Sequence, residues 1–260
     1  MKVEIIKEVR EHQPLIHHIT NQVVMNFSAN GLLSFGASPV MAKAQEEAAE
    51  MASHADGLLL NIGTLTSGDL EAMIAAGKAA NQIGIPVVLD PVGAAATTWR
   101  SQAVKKILAE VHPSAIKGNA GEMAHLVNIP WETKGVDSTG EGNTENIAAQ
   151  VADTYDTTAI VTGKKDIICQ GNRIIENNTG DPYLSKLTGA GCLLGSILAA
   201  CLTTGHSADQ QALAAVNFYG LAAEYAADSP DVKGPGTFMS RFIDALSKDP
   251  AKLNRRDIDE

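Results

Sequence analysis

The chain has 260 residues, 45% hydrophobic and 19% charged, a balance that suits a globular domain with a full core rather than a disordered segment. Its formal charge of −10 repels phosphate backbones, and only 4% of its residues are aromatic, so no basic patch or stacking platform offers a nucleic acid a surface. Three cysteines, Cys169, Cys192 and Cys201, are too few for a disulfide framework and lack the CxxC spacing of a zinc site.

In chain order, residues 1–12 are charged and carry no apolar signal core, which predicts a cytoplasmic protein. His17 and His18 are adjacent, so in a strand their side chains diverge; with no third ligand suitably spaced, zinc is not expected there. Residues 57–63 read as a buried strand entering a loop, and residues 68–82 carry apolar side chains at helical spacing. Residues 85–90, 114–119 and 158–163 are further continuous apolar runs, as expected of parallel strands covered on both faces. Residues 166–170 and 173–176 flank Gly171-Asn172, a two-residue hairpin signal. Helices dominate from Gly191 onward. The apolar stretch 187–204 is broken by glycines and falls short of a membrane span. The pairs Lys105-Lys106 and Arg255-Arg256 read as solvated surface. The expectation is one α/β domain over residues 1–260, with a mainly parallel sheet flanked by helices and an antiparallel edge hairpin.

In such sheets ligands gather at the C-terminal strand ends, where the polar motifs fall. Leu187-Thr188-Gly189-Ala190-Gly191-Cys192 opens a small, apolar helix. Glycines allow a sharp turn that aims backbone N–H groups at one point, and the helix start adds partial positive charge. Gly189, Ala190 and Gly191 thus read as an anion hole suited to phosphoryl transfer, or else as small residues needed for packing. Cys192, at a helix start, is expected to have a lowered thiol pKa and some thiolate character. Asp90 and Glu122, each after a strand, are a carboxylate pair of the kind Mg²⁺ prefers. Taken singly, Glu122 reads as a helix N-terminal acid and Asp90 as an Asx-type turn. Lys117 and Thr162 offer a cation and a hydroxyl to phosphates, although a lone Lys117 reads as a surface lysine with a buried stem.

This set of motifs resembles the ribokinase-like kinases, in which a Gly-Ala-Gly-Asp loop opens a helix and its Asp is the proposed base. Cys192 stands at the Asp position, which resembles the hydroxyethylthiazole kinase branch. The likeness runs through His18-Ile19-Thr20-Asn21, Ser38-Pro39-Val40-Met41, Asn61-Ile62-Gly63-Thr64, Leu89-Asp90-Pro91-Val92-Gly93 and Lys117-Gly118-Asn119-Ala120-Gly121-Glu122. It implies an ATP- and Mg²⁺-dependent kinase acting on the primary alcohol of 4-methyl-5-(2-hydroxyethyl)thiazole, for thiamine. By the same resemblance Asn21, Met41 and Gly189 contact the alcohol substrate. Lys117, Asn119 and Thr162 contact ATP, Asp90 and Glu122 organise the metal, and Cys192 orients or deprotonates the alcohol. The 234–238 turn, Gly-Pro-Gly-Thr-Phe, is a second nucleotide-side candidate. The resemblance also implies a homotrimer with sites at subunit boundaries, and neither a nucleic-acid nor a membrane partner.

Three other readings stay open at this level. Another ribokinase-like enzyme, a hydroxymethylpyrimidine kinase or a nicotinamide-hydrate dehydratase, is disfavoured by Cys192 and by residues 18–21. A binding protein that has lost its base is the third. Cys169 and Cys201 read as buried small hydrophobes, and an isolated Met41 as core.

Overall fold

The computed structural model describes residues 2–131 and 144–253, so Arg255-Arg256 lies outside the described residues. Eight strands form one sheet: β1 (Leu15–Ile19), β2 (Ser38–Val40), β3 (Gly57–Asn61), β4 (Val87–Asp90), β5 (Ala115–Asn119), β6 (Thr158–Thr162), β7 (Asp166–Gln170) and β8 (Arg173–Asn177). Their order is β2-β1-β3-β4-β5-β6-β7-β8. Neighbours are parallel from β2 to β6, and β6–β7 and β7–β8 are antiparallel. The expected parallel sheet with an antiparallel edge hairpin is therefore present, and Gly171 takes the left-handed conformation the hairpin turn requires (φ +54°).

β1 and β2 extend the sheet beyond the expected strands. Two histidines in five residues interrupt the apolar run of β1. β2 has three residues including Pro39, which a ladder tolerates on an edge strand.

Helices cover both faces. On one side lie α3 (Gln45–His54), α4 (Ser67–Ile83), α5 (Thr98–Glu110), α6 (Ala120–Leu126) and α7 (Thr144–Tyr155). On the other lie α1 (Val3–His12), α2 (Met25–Phe35), α8 (Ala190–Cys201), α9 (Ala208–Ala227), α10 (Pro235–Leu246) and α11 (Pro250–Leu253). Strand residues alternate between these two layers, as the period of 2 demands. Leu58 and Leu60 enter the α3–α7 core, whereas Leu59 enters the core that contains α8. Ile116 and Leu89 likewise face the α3–α7 layer.

That alternation decides where the strand-end polar groups point. Asn61, Asp90 and Lys117 each follow a residue of the α3–α7 core, so all three face α8. The register aligns them: Asn61 is opposite Asp90, and Leu89 opposite Ile116 puts Asp90 beside Lys117 one step on. The sheet thus carries a polar row under the start of α8.

Leu59 is fully buried in the core shared with Leu193, Leu194 and Ile197 of α8, and a Cβ on Gly195 would come within 3.1 Å of Leu59 Cδ1. Leu59→Ala is expected to cost about 2–5 kcal/mol of unfolding free energy in urea titration, the range for truncating a buried leucine. A loss below about 1 kcal/mol would show that α8 is not seated on β3 in this way.

Candidate active site

The C-terminal ends of six parallel strands form one rim. In sheet order they bring up Met41 after β2, Asn21 after β1, Asn61 on β3, Asp90 on β4, Asn119 on β5 and Thr162 on β6. With strands about 4.8 Å apart, the four steps from β1 to β6 span about 19 Å, room for an acceptor and a nucleotide end to end. Of the residues expected to touch the acceptor, Met41 and Asn21 fall at one end; of those expected to touch ATP, Asn119 and Thr162 fall at the other and Lys117 lies in the middle.

The middle of the rim is a hydrogen-bonded chain. Asn21 Nδ2 donates to Asn61 Oδ1 (2.9 Å) and lies 3.4 Å from Cys192 Sγ. Asn61 Nδ2 donates to Asp90 Oδ2 at 2.8 Å. Lys117 Nζ reaches the same Asp90 oxygen at 3.1 Å and donates to Gly191 O at 2.9 Å. Asp90 and Lys117 are both almost completely buried, so Lys117 is no surface lysine. Burial works against its ammonium, but Asp90, then Cys192 and Glu122, overcome this and hold its pKa above the ordinary lysine value. Burial raises Asp90 against the opposing pull of Lys117 and Asn61. Asp90 Oδ1 is buried with no hydrogen-bond partner, as is Thr20 Oγ1 beside Asn21.

α8 begins directly above this row. Gly189 is its N-cap, in the left-handed conformation (φ +90°) and without a side-chain cap. A Cβ there would fall 2.3 Å from Val24 Cγ1, so both backbone angle and space demand glycine. Leu193 N–H makes the first bond of the helix, to Gly189 O at 2.9 Å. The Gly191 and Cys192 amides precede it and have no intrahelical acceptor. Ala190 differs from its neighbours: its amide turns back to Leu187 O at 3.3 Å, and its side chain is buried. Of the three loop residues expected to form the anion hole, Gly191 therefore offers an amide, Gly189 supplies the turn, and Ala190 packs. Tyr219, buried on α9, donates its hydroxyl to Ala190 O at 2.6 Å and steadies the same turn from behind.

The expected lowered pKa of Cys192 is overturned in direction. Burial, followed by the charge of Asp90, raises the thiol; Lys117 and the Asn61 and Asn21 amides only partly oppose this. The helix start is one influence, and desolvation beside a carboxylate outweighs it.

Glu122 is the third residue of α6 and forms a capping box with Asn119: Glu122 N–H donates to Asn119 Oδ1, and Asn119 N–H to Glu122 Oε2, both at 2.9 Å. Its other oxygen accepts from Gly93 N–H at 2.8 Å. The helix-capping reading of Glu122 is thus realised in the fold. The same residue is pushed up by burial and by the charge of Asp90, so the two carboxylates sit near enough to repel. A divalent cation held by oxygen ligands would relieve that repulsion and satisfy Asp90 Oδ1, and one or two carboxylates completed by water and phosphate are the usual Mg²⁺ set. The residues fit the ion. Among the described residues no group of three or more His, Cys, Asp or Glu is placed to hold a metal.

His17 and His18 diverge as expected. His17 Nε2–H donates to Ala42 O, while His18 Nδ1–H donates to Ile16 O and its Nε2 accepts from Ser196. Burial holds His18 down at about 4, a neutral strut between β1 and α8. Met41 is half-buried just past the end of the edge strand β2. Thr162 is directly opposite Asn119. Residues 234–238 begin α10, where Thr237 Oγ1 accepts Lys233 N–H and Gly234 N–H. Cys169 and Cys201 are buried. No helix among the described residues is long and apolar enough to cross a membrane. The motif reading missed Tyr219, which sits in an Ala-rich helix with no local signal, and used Asn61 only within a motif, although strand alternation puts it beside Asp90.

The model of the hydroxyethylthiazole kinase family matches residues 6–251. A protein of Oceanobacillus iheyensis described as hydroxyethylthiazole kinase 1 is 60% identical over 253 residues, covering 97% of this chain and 98% of that one. The solved hydroxyethylthiazole kinase protein of Pyrococcus horikoshii OT3 superposes with a TM-score of 0.87 at 37% identity, covering 96% of this chain and 95% of that one. A ribokinase-like superfamily protein from Enterococcus faecalis V583 shares the fold with a TM-score of 0.69 at 13% identity, covering 97% and 95%.

Cys192 is half-buried and the other two cysteines are fully buried, so iodoacetamide should label Cys192 first. Because its thiol is raised, the labelling rate is expected to rise with pH through a midpoint above that of a free thiol, about 8.5. A midpoint below about 8 would restore the thiolate reading.

Proposed function

Because the chain belongs to the hydroxyethylthiazole kinase family, we infer that it catalyses ATP-dependent phosphorylation of the primary alcohol of 4-methyl-5-(2-hydroxyethyl)thiazole, in thiamine biosynthesis or salvage. This separates it from the pyrimidine kinase and the dehydratase considered above. The observation that carries the catalytic reading is the polar row Asn21–Asn61–Asp90–Lys117 beneath the open amides of α8.

In the reaction an alcohol oxygen–phosphorus bond forms as the bond from γ-phosphorus to the β-bridging oxygen breaks, and ADP leaves. Asn21 and Met41 hold the acceptor at the β2–β1 end. Gly189 shapes the turn on which the alcohol rests. Thr162 and Asn119 stand at the nucleotide end. The amides of Gly191 and Cys192 face the charge that spreads over the transferring phosphoryl, and Lys117 adds a fixed positive charge from below. Asp90 and Glu122 would hold Mg²⁺, which when bound neutralises phosphate charge and draws the donor into line. Cys192 keeps its proton and orients the alcohol rather than deprotonating it. A loose transition state needs little help from a base, so the alcohol proton leaves late, onto an oxygen of the new ester.

We place the protein in the cytoplasm as a homotrimer with sites at subunit boundaries. Three free cysteines support the first. Val23, 68% exposed and next to the Val24 that packs on Gly189, and Leu33, 57% exposed in the last turn of α2, support the second: they are apolar surface that a neighbouring copy would cover.

The assay is ADP release with and without the thiazole alcohol and Mg²⁺, on the parent and on Glu122→Gln. The parent should require both, and Glu122→Gln should lose about 10–100-fold in turnover while remaining folded. ADP release indifferent to the thiazole would contradict the assignment. A collapsed thermal midpoint with normal activity per folded Glu122→Gln molecule would leave Glu122 as a helix cap alone.

A further inference from the structure

Arg100 is in the first turn of α5, behind the strand ends rather than among the groups that face α8. Thr97 Oγ1 accepts the Arg100 amide at 3.2 Å and caps the helix, so the guanidinium is free to reach back to the sheet. Nη1 donates to Ile62 O at 2.9 Å and to Val92 O at 2.7 Å, and Nη2 donates to Gly63 O at 2.5 Å. These carbonyls belong to two loops, one leaving β3 and one leaving β4.

Each loop ends against a different side of the site. Gly63 backs onto Asn21 so closely that a Cβ there would be 2.8 Å from Asn21 Cβ and Nδ2, and its amide donates to Asn61 Oδ1 at 3.0 Å. On the other loop Gly93 follows Val92 and donates its amide to Glu122 Oε1 at 2.8 Å. A Cβ on Gly93 would lie 3.4 Å from Arg100 Nη1, so the clamp is packed against that turn.

We propose that Arg100 is a positioning residue for the transfer reaction: one guanidinium sets the acceptor-side Asn21 and the metal-side Glu122 relative to each other. This rests on the kinase function proposed above. A planar fork reaches the three acceptors in two loops from two separate nitrogens, whereas a lysine would have to reach all of them from one. If Arg100 is removed, both loops loosen at once, and both ends of the site lose their placement although no group that touches substrate has changed.

The test uses the full chain as parent, Arg100→Ala and Arg100→Lys. Two values are read: the Kd of the thiazole alcohol by calorimetry without metal or nucleotide, and the Mg²⁺ concentration giving half-maximal ADP release. Arg100→Ala should weaken both by about 10–100-fold, the usual effect of removing a supporting partner. Arg100→Lys should weaken both by less, and added methylguanidinium should recover part of both in Arg100→Ala. If the alanine variant does not fold, Arg100→Lys carries the comparison. Variants that are folded and match the parent in both values overturn the proposal. So does methylguanidinium that raises the thermal midpoint and restores neither value, which marks Arg100 as structural only. A parent that does not bind the thiazole alcohol overturns the functional reading and this proposal with it, whereas a parent that binds beside unaffected variants overturns the role of Arg100 alone.

Discussion

The site depends on the buried contact between Lys117 and Asp90. Two adjacent strands put them there by register, and strand alternation turns both toward α8. Lys117 also donates to Gly191 O, so one ammonium ties the middle of the sheet to the first turn of α8. Asn61 and Asn21 extend the tie toward the acceptor side. Such a pair is a poor source of stability, because desolvation of two ions offsets much of their attraction. In the proposed function its value lies in placing a fixed charge and a fixed carboxylate where phosphoryl transfer needs them.

The electrostatics of the rim follow from that arrangement. The start of α8 and Lys117 are positive, and Asp90 and Glu122 lie close enough that one raises the other. Cys192, between the two sets, is kept neutral by burial and by Asp90. In the proposed function a neutral thiol at the start of α8 puts the weight of catalysis on positioning and charge stabilisation rather than on proton removal. The supports behind the rim serve the same end: Tyr219 on Ala190 O, His18 on Ser196, and Arg100 across two loops.

Much of this was legible in the sequence where local pattern and tertiary role coincide. The apolar runs that became β3 to β6 are covered on both faces, so burial and sequence carry the same signal. Gly171-Asn172 marks the hairpin because only a left-handed residue turns it there. β1 and β2 were hidden, since a strand interrupted by two histidines, or one of three residues with a proline, lacks that signal. The candidate ligand-side residues could be named from motifs at strand ends, and the structure brings Asn21, Asn61, Asp90, Lys117, Asn119 and Thr162 to one rim. Their charge states could not: Cys192 is raised and Lys117 buried because of neighbours distant in the chain, and helix-start rules do not include Asp90. Tyr219 and Arg100 act through contacts with backbone carbonyls distant in the chain, which leave no residue pattern at all.

The most direct test of the central tie is a double-mutant cycle in urea on parent, Asp90→Asn, Lys117→Met and the double variant. Each single change leaves one buried group without its partner and is expected to cost about 3–5 kcal/mol, whereas the double variant should lose far less than the sum. Strict additivity of the two single losses would contradict the account, because it would mean that Lys117 and Asp90 do not act as a pair.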